Sequence, residues 1–289
     1  MRILSKCALC GEDKELQLSH IIPKFVGKYL KKTSIGKIRS QQNPNRTLQD
    51  IEKHYLLCHD CEELFSASER YFANTVFYPY KKEKLAIFGY DKRLFYFITS
   101  LSWRSLYLDV IDFVKKSSLK IDVLEKMIES EKLMREFLIN ERHDIGNIEH
   151  HIFFFDRVNA DSIENDAFKV GRPNTTVHRS LTSYSGYMGD TIYTISNLMG
   201  IVIVTLYSKD ADEVWDGTQV LNGDNTIAAV NQRIATKVAN EFSFWMKQCD
   251  EASNSISEED EQKILKNITK LGNTIKDCEV YQDIVDDFQ

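Results

Sequence analysis

The spacing of apolar residues predicts mainly helices between residues 61 and 140. Apolar side chains after Cys61 recur at three- and four-residue intervals, which predicts a helix beginning at or just after that residue. Residues 94–114 are strongly apolar over a helical length. Residues 121–140 combine apolar positions with Glu and Lys, as an amphipathic helix does.

Strand patterns occur in the later part of the chain. Residues 151–156, 191–195 and 200–207 are rich in β-branched and aromatic side chains, which predicts strands of a small antiparallel sheet. Residues 225–248 and 260–271 are predicted as helices, with a polar break at 252–257 between them. The fold class expected from this mixture is α+β.

Four of the six cysteines form two Cys-x-x-Cys pairs, each of which presents two sulfurs from one tight turn. The pairs are Cys7 with Cys10 and Cys58 with Cys61. Four thiolates are a common ligand set of a structural Zn²⁺ ion, so we predict zinc here. Cys249 and Cys278 lack this spacing, and we expect them to be inert.

The zinc site organises our prediction of domains. Residues 1–80 contain apolar pieces too short to build a core alone, so zinc is expected to hold this module together. We expect a hairpin to carry the first cysteine pair and a helix start to carry the second, which is a treble-clef arrangement. Residues 81–289 would then form an α+β C-terminal domain, whose role the sequence leaves open.

Charge is distributed unevenly along a chain whose net charge is −6. Residues 16–49 contain no Asp or Glu, and a basic face there is typical of phosphate binding. The candidate nucleic-acid-binding residues are Lys24, Lys28, Lys31, Lys32, Lys37 and Arg39. The alternative is a solvated lysine-rich loop. Acidic residues at 258–261 and 286–287 would bind either a partner protein or the basic module itself.

Composition places the chain among ordinary globular proteins, with 43% hydrophobic and 28% charged residues. No run approaches the ~18 apolar residues of a membrane span. The N-terminus shows no signal-peptide pattern, so we expect a cytoplasmic protein. In a reducing compartment, paired cysteines favour a metal over a disulfide.

The residues between the cysteine pairs suggest a family. Ser-His-Ile-Ile-Pro at residues 19–23 is followed by an Asn-containing loop and then by Leu-x-Cys-x-x-Cys. This succession resembles the HNH endonucleases over residues 5–75. The resemblance implies a ββα-metal finger stapled by zinc, and an activity that hydrolyses DNA phosphodiesters.

The resemblance also implies a set of catalytic residues. His20 would be the general base that activates water, because an unperturbed imidazole titrates near neutral pH. A catalytic Mg²⁺ or Mn²⁺ would stabilise the phosphate and the leaving oxygen. Asn43 or Asn45 would orient the histidine or support the metal site, and the sequence does not choose between them.

Two positions depart from the family pattern. Ser19 stands where Asp or His is usual, and Glu62 stands where His or Asn is usual. A carboxylate is a good Mg²⁺ ligand and a hydroxyl a poor one, so Glu62, Glu63 or Glu69 are candidates to complete a rearranged site. The alternative function is a catalytically degenerate, zinc-stabilised protein that binds nucleic acid or serves as an adaptor.

Longer strings resemble a subgroup of bacterial HNH-like proteins. These are Ser-His-Ile-Ile-Pro-Lys-Phe, Leu-Leu-Cys-x-x-Cys-Glu and Phe-Ser-x-x-Glu. The resemblance suggests phage defence as a setting, with DNA as the first expected partner and a protein of a defence complex as the second. Membrane association is not expected, and the oligomeric state is left open.

Overall fold

The computed structural model describes residues 3–35, 37–156 and 171–288. Its first half contains β1 (Ile3–Lys6), β2 (Asp13–His20), α1 (Lys24–Thr33), β3 (Lys53–Cys58), α2 (His59–Phe72), a π-helical turn (Ala73–Phe77), α3 (Tyr78–Glu83), β4 (Ile87–Tyr90), α4 (Lys92–Lys116) and α5 (Ile121–Leu138).

The second half contains β5 (Glu149–Phe154), α6 (Pro173–His178), β6 (Leu181–Met188), β7 (Thr191–Leu198), β8 (Ile201–Ser208), β9 (Val214–Asp216), β10 (Gln219–Val220), β11 (Asn225–Ala228), β12 (Arg233–Ala235), α7 (Asn240–Asn254), α8 (Glu258–Leu271) and α9 (Glu279–Phe288). Short 3-10 segments, Lys237–Ala239 and Gly272–Asp277, precede α7 and α9. The mixture is α+β, as predicted.

A three-stranded antiparallel sheet in the order β1-β2-β3 forms the N-terminal part. The register of β2 against β3 shifts between Gln17 and Leu18, so the end of β2 is offset from its start. Helix α2 follows β3 directly and packs against β2 and β3. The predicted helix start near Cys61 is therefore confirmed, at His59.

The second sheet is a five-stranded antiparallel sheet in the order β10-β5-β8-β7-β6. Strand β7 is buried along its whole length, and β8 is buried up to Ser208. Both faces of these central strands are therefore covered. Helix α4 lies against β5, β6, β7 and β8 on one face, and it also contacts α2 of the N-terminal part.

One hydrophobic cluster runs through both parts of the molecule. Phe72 of α2 stacks on Phe97 of α4 with ring centres 4.2 Å apart, and Phe65 packs edge-on against Trp103. The N-terminal sheet, α4 and the near face of the second sheet therefore share a core. The division at residue 80 stays a prediction.

Most predicted elements are observed. The helices predicted at 94–114, 121–140 and 260–271 correspond to α4, α5 and α8, and the strands predicted at 151–156, 191–195 and 200–207 correspond to β5, β7 and β8. Helix α5 ends earlier, at Leu138, and β5 ends at Phe154, whereas β7 continues to Leu198. The helix predicted for 225–248 is wrong before Asn240. There β11 pairs with β4 and β12 with β9, so strand partners distant in sequence override the local pattern.

No helix in the described ranges is long and apolar enough to cross a lipid bilayer.

Candidate functional site

Two turns bring the four predicted zinc ligands together. Cys7 and Cys10 lie in the turn between β1 and β2, whereas Cys58 ends β3 and Cys61 lies in the first turn of α2. All four sulfurs lie within 4.8 Å of one another. Cys10 Sγ is 4.0 Å from Cys58 Sγ. Tetrahedral Zn²⁺ with Zn–S bonds near 2.3 Å separates its sulfurs by about 3.8 Å, so these residues fit a metal such as zinc.

Hydrogen bonds prepare the cysteine cluster for a cation. The Cys58 amide donates to Cys7 Sγ at 3.3 Å. The neighbouring Cys61 thiol, together with nearby backbone N–H groups and against the effect of burial, lowers the pKa of Cys7 to about 4. A thiolate is the form that binds metal. The first turn is joined to β3 by the Ala8 amide, which donates to the Leu56 carbonyl at 3.0 Å.

The two residues between the cysteines of the second pair face outward. His59 and Asp60 are exposed. The Asp60 carboxylate accepts a hydrogen bond from Lys14 Nζ at 2.9 Å across the hairpin. Neither side chain competes with the four sulfurs for the metal.

His20 lies at the end of β2 with its side chain 15% exposed. Its Nε2 is 3.2 Å from Asp50 Oδ2, and no other residue in the described ranges hydrogen-bonds the ring. Lys53 Nζ donates to the same Asp50 oxygen at 3.0 Å. Burial would raise the pKa of Asp50, but hydrogen bonds from Lys53 and His20 hold it well below its usual range. Asp50 is therefore ionised beside the imidazole.

The backbone of His20 is fixed by a buried arginine. Arg104 of α4 is 1% exposed, and its Nη1 donates to the His20 carbonyl at 2.8 Å and forms an ion pair with Glu69 Oε1 of α2 at 2.9 Å. Arg104 Nε also donates to the Ser100 carbonyl at 3.2 Å. One guanidinium thus joins β2, α2 and α4 beneath the histidine.

Two further polar atoms, Glu62 Oε1 of α2 and Arg104 Nη2 of α4, are buried without a hydrogen-bond partner in the described part of the chain. Glu62 and Glu69 are seven residues apart on α2, so both side chains lie on one helix face. Glu69 forms an ion pair with Arg104, whereas one carboxylate oxygen of Glu62 is buried with no hydrogen-bond partner among the described residues.

The remaining predicted site residues have other partners. Ser19 is fully buried, and its hydroxyl accepts from the Leu57 amide at 3.2 Å. Asn43 is exposed. The Asn45 side chain donates to the Ser255 carbonyl at 3.0 Å and accepts from the Ser257 amide at 2.8 Å. The hydrogen-bond partner of His20 is Asp50 rather than Asn43 or Asn45, whose catalytic roles stay predictions.

Asp50 was not among the predicted site residues, although its position in the sequence indicates a paired carboxylate. Asp50 is the first acidic residue after the acid-free residues 16–49. A single carboxylate at the end of a basic stretch has lysines, arginines and histidines as its neighbours in sequence, which favours an ion pair or hydrogen bond with one of them.

The basic residues divide into two groups. Lys24, Lys28, Lys31 and Lys32 are exposed on one side of α1, and Lys37 is exposed beyond it. We call the first four the lysine face. Arg39 is half-buried and paired with Asp260 of α8 at 3.2 Å, so acidic C-terminal residues contact the basic module, one of the two options predicted for them.

Comparison of the chain with protein-family models, with curated proteins and with solved structures finds no match. The resemblance to HNH endonucleases therefore rests on the motif residues of the sequence.

Proposed function

We propose that this protein is an HNH-type endonuclease that hydrolyses DNA phosphodiesters with His20 as general base. The observation that carries the proposal is the hydrogen bond between His20 and an ionised Asp50 at the end of β2. A carboxylate that holds one imidazole nitrogen orients the ring and stabilises the imidazolium formed when the other nitrogen takes a proton.

The chemical assignment follows from the two ring nitrogens. With Nε2–H directed at Asp50, Nδ1 is the nitrogen that accepts the proton of an attacking water. The ring is 15% exposed, so water and a phosphate can reach it. Arg104 sets the position of the strand end through the His20 carbonyl, and is therefore a positioning residue.

The arrangement of elements supports a ββα-metal module of the treble-clef kind. Antiparallel strands β2 and β3 lead into α2, one cysteine pair precedes β2, and the other lies where β3 meets α2. In this proposal Zn²⁺ is structural and takes no part in hydrolysis, because four cysteine ligands leave no open position.

A catalytic Mg²⁺ or Mn²⁺ fits the described residues poorly. Ser19 is buried, Glu69 is paired with Arg104, and Asp50 is paired with His20. In the described ranges, the four cysteines are the one group of three or more metal-binding side chains close enough to share an ion. We therefore assign no step to a divalent metal.

DNA is the proposed substrate because the lysine face of α1 begins four residues after His20. Lys24, Lys28 and Lys32 repeat at four-residue spacing and are exposed. Such a face binds a phosphate backbone without reading its sequence. A cytoplasmic role in phage defence remains part of the proposal through the family resemblance.

Nicking of supercoiled plasmid by zinc-loaded protein tests the proposal. His20→Ala is compared with His54→Ala, a matched control: His54 lies in β3 and is also paired with a carboxylate, Glu52, at 2.8 Å. Removal of a general base is expected to slow nicking by about 10²–10⁴-fold. Assays run with Mg²⁺, with Mn²⁺ and with neither. Equal nicking by both variants, or none by wild type, contradicts the proposal.

The second candidate function is a zinc-stapled DNA-binding or adaptor protein without cleavage. The specific observation in its favour is that Glu69, a candidate metal ligand, and Ser19, which replaces the usual Asp or His of the family pattern, have structural partners. Lys28→Glu with Lys32→Glu should then weaken DNA binding and flatten its salt dependence. Lys266→Glu with Lys270→Glu, exposed at the same spacing on α8, is the matched control.

A further inference from the structure

The C-terminal helix α9 carries a carboxylate at every fourth residue of one face. These residues are Glu279, Asp283 and Asp287. Four residues of α-helix rise about 6 Å, so the three carboxylates form a regular row along the helix. The row is directed at the body of the protein rather than at solvent, because Asp283 is 1% exposed.

Two of the carboxylates hold one arginine. Arg179, which is itself 9% exposed, donates from Nε to Asp283 and from Nη2 to Glu279 at 3.2 Å. The Tyr29 hydroxyl of α1 donates to the other oxygen of Glu279 at 2.6 Å. These donors are of the kinds that bind phosphate oxygens.

The third carboxylate binds backbone groups. Asp287 accepts from the amides of Asn174 and Thr175, each at 2.8 Å. The row of acids therefore covers a continuous row of donors that starts at α1, passes Arg179 and ends at α6.

A buried lysine lies in the same region. Lys81 of α3 is 8% exposed and forms no ion pair within the described chain. Burial, with Arg179 and Lys84 nearby, lowers the pKa of Lys81 to about 7, while Glu279 and Asp283 act in the opposite direction. Exposure of this surface would remove the burial and favour the charged form of Lys81.

Polar contacts, more than apolar burial, hold α9 in place. Asp283 is the one residue of the helix that is fully buried, whereas Ile284 is 40% and Phe288 77% exposed. Because Arg179 and Asp283 are nearly buried, salt screens their ion pair only weakly, and its release requires an anion that replaces the carboxylates as the partner of Arg179. A helix held in this way can be displaced by another anion.

The covered surface continues the lysine face. Arg179 Nη1 donates to Thr33 Oγ1 at 3.0 Å, at the end of α1 where Lys31 and Lys32 are exposed. At the other end of the acidic segment, Asp260 of α8 pairs with Arg39. The acidic C-terminal helices thus pair with two arginines, one that contacts the end of α1 and one in the segment that follows α1.

We propose that α9 occupies a phosphate-binding surface formed by Arg179, Lys81 and Tyr29, and that the backbone of bound DNA displaces it. The proposal rests on the DNA substrate proposed above and adds an autoinhibitory contact to it. Successive phosphates of one DNA strand can replace the three carboxylates of α9 more readily than separate anions can, because each contact after the first is intramolecular. A single phosphate lacks that advantage.

The test compares two full-length triple variants with the same change in net charge. Glu279→Gln/Asp283→Asn/Asp287→Asn removes the row on α9, and Glu258→Gln/Glu259→Gln/Glu261→Gln removes three exposed acids from α8. Affinity for a short labelled DNA duplex is measured at one salt concentration. The α9 variant should bind about tenfold more tightly than the control, since its binding surface is no longer occupied. Equal affinities, or no binding by either, overturn the proposal.

Wild-type protein provides a second measurement that needs no substitution. Amide hydrogen exchange in residues 279–288 should accelerate when DNA is added, and unchanged exchange in the presence of bound DNA overturns the proposal. Tighter binding by the α9 variant without nicking by any form would retain this proposal and refute the nuclease. Nicking that depends on His20, together with equal DNA affinities of the two triple variants, would support the nuclease and overturn the proposal for α9.

Discussion

Two sides of α4 show how differently one helix can use polar residues. Toward the N-terminal sheet, Arg104 pairs with Glu69 and holds the strand end that carries a partly exposed His20. Toward the second sheet, α4 presents hydroxyls: Thr99 Oγ1 is 2.8 Å from His150 Nε2, and Ser102 Oγ is 2.7 Å from Thr205 Oγ1.

The two histidines differ in the same way. His150 is fully buried, and its second nitrogen is 2.8 Å from Thr205 Oγ1, so both nitrogens have neutral partners. Burial lowers the pKa of His150 to about 3, which keeps the ring neutral at physiological pH. His20 has an ionised carboxylate and access to solvent. The comparison teaches that partner and exposure, rather than residue type, indicate which histidine suits a base.

The largest effect should follow loss of the zinc site. Cys58→Ala removes one of four sulfurs, and structural Zn²⁺ contributes about 10–16 kcal/mol to the folding of small zinc modules. We expect the variant to lose zinc and to unfold β1, β2 and β3, measured by metal content and by hydrogen exchange. Cys249→Ala, outside the cluster, should keep one zinc per chain; retained zinc in both variants would contradict the assignment.

Substitution of His150 should affect stability and leave chemistry intact. His150→Ala leaves a cavity and removes one hydrogen-bond partner from each of Thr99 and Thr205, which should cost about 2–4 kcal/mol in denaturant unfolding. Nicking per folded molecule should match wild type. For His20→Ala we expect the opposite, with little change in unfolding free energy and strongly reduced nicking. If the two variants lose unfolding free energy and nicking activity to the same extent, the two sides of α4 do not differ in function.

A pH-dependent effect is expected from Asp109, at the far end of the hydroxyl-rich side of α4. Burial, against hydrogen bonds from Ser185, raises the pKa of Asp109 from 3.8 to about 6. Its stabilising contribution is therefore present below the unfolded pKa and lost as pH rises through the folded one. Asp109→Asn should remove a pH-dependent loss of at most about 3 kcal/mol. Parallel stability curves for wild type and variant between pH 4 and pH 7 would contradict this.

The smallest effect is expected at His54. Its side chain is 44% exposed and its pair with Glu52 lies at the surface. His54→Ala should change the unfolding free energy by no more than about 0.5 kcal/mol, and should not change nicking. A larger loss of stability in thermal unfolding would contradict this, because the exposed His54–Glu52 pair would then contribute more to the unfolding free energy than a surface pair does.

The sequence predicted what depends on short-range spacing. Each Cys-x-x-Cys turn places two sulfurs side by side, so the four metal ligands were predictable from spacing alone. Residues 94–114 are apolar over a helical length, so their helix was predictable as well. The α+β class followed from the same local patterns.

Long-range pairing was not predictable from those patterns. Asp50 reaches His20 because β3 returns antiparallel to β2 after a long connection, and Arg104 reaches the His20 carbonyl from a helix 84 residues away in sequence. Residues 225–228 and 233–235 are strands because β4 and β9 offer edges to them, which periodicity does not record.

The most direct test of the central claim, that His20 and Asp50 act as one unit, is a double-mutant cycle on plasmid nicking. His20→Ala, Asp50→Asn and the combined variant are compared as rates per zinc-loaded molecule. The account predicts that the combined variant is no slower than His20→Ala, because Asp50 acts only through the imidazole. Independent losses that multiply, or an Asp50→Asn variant as fast as wild type, would contradict it.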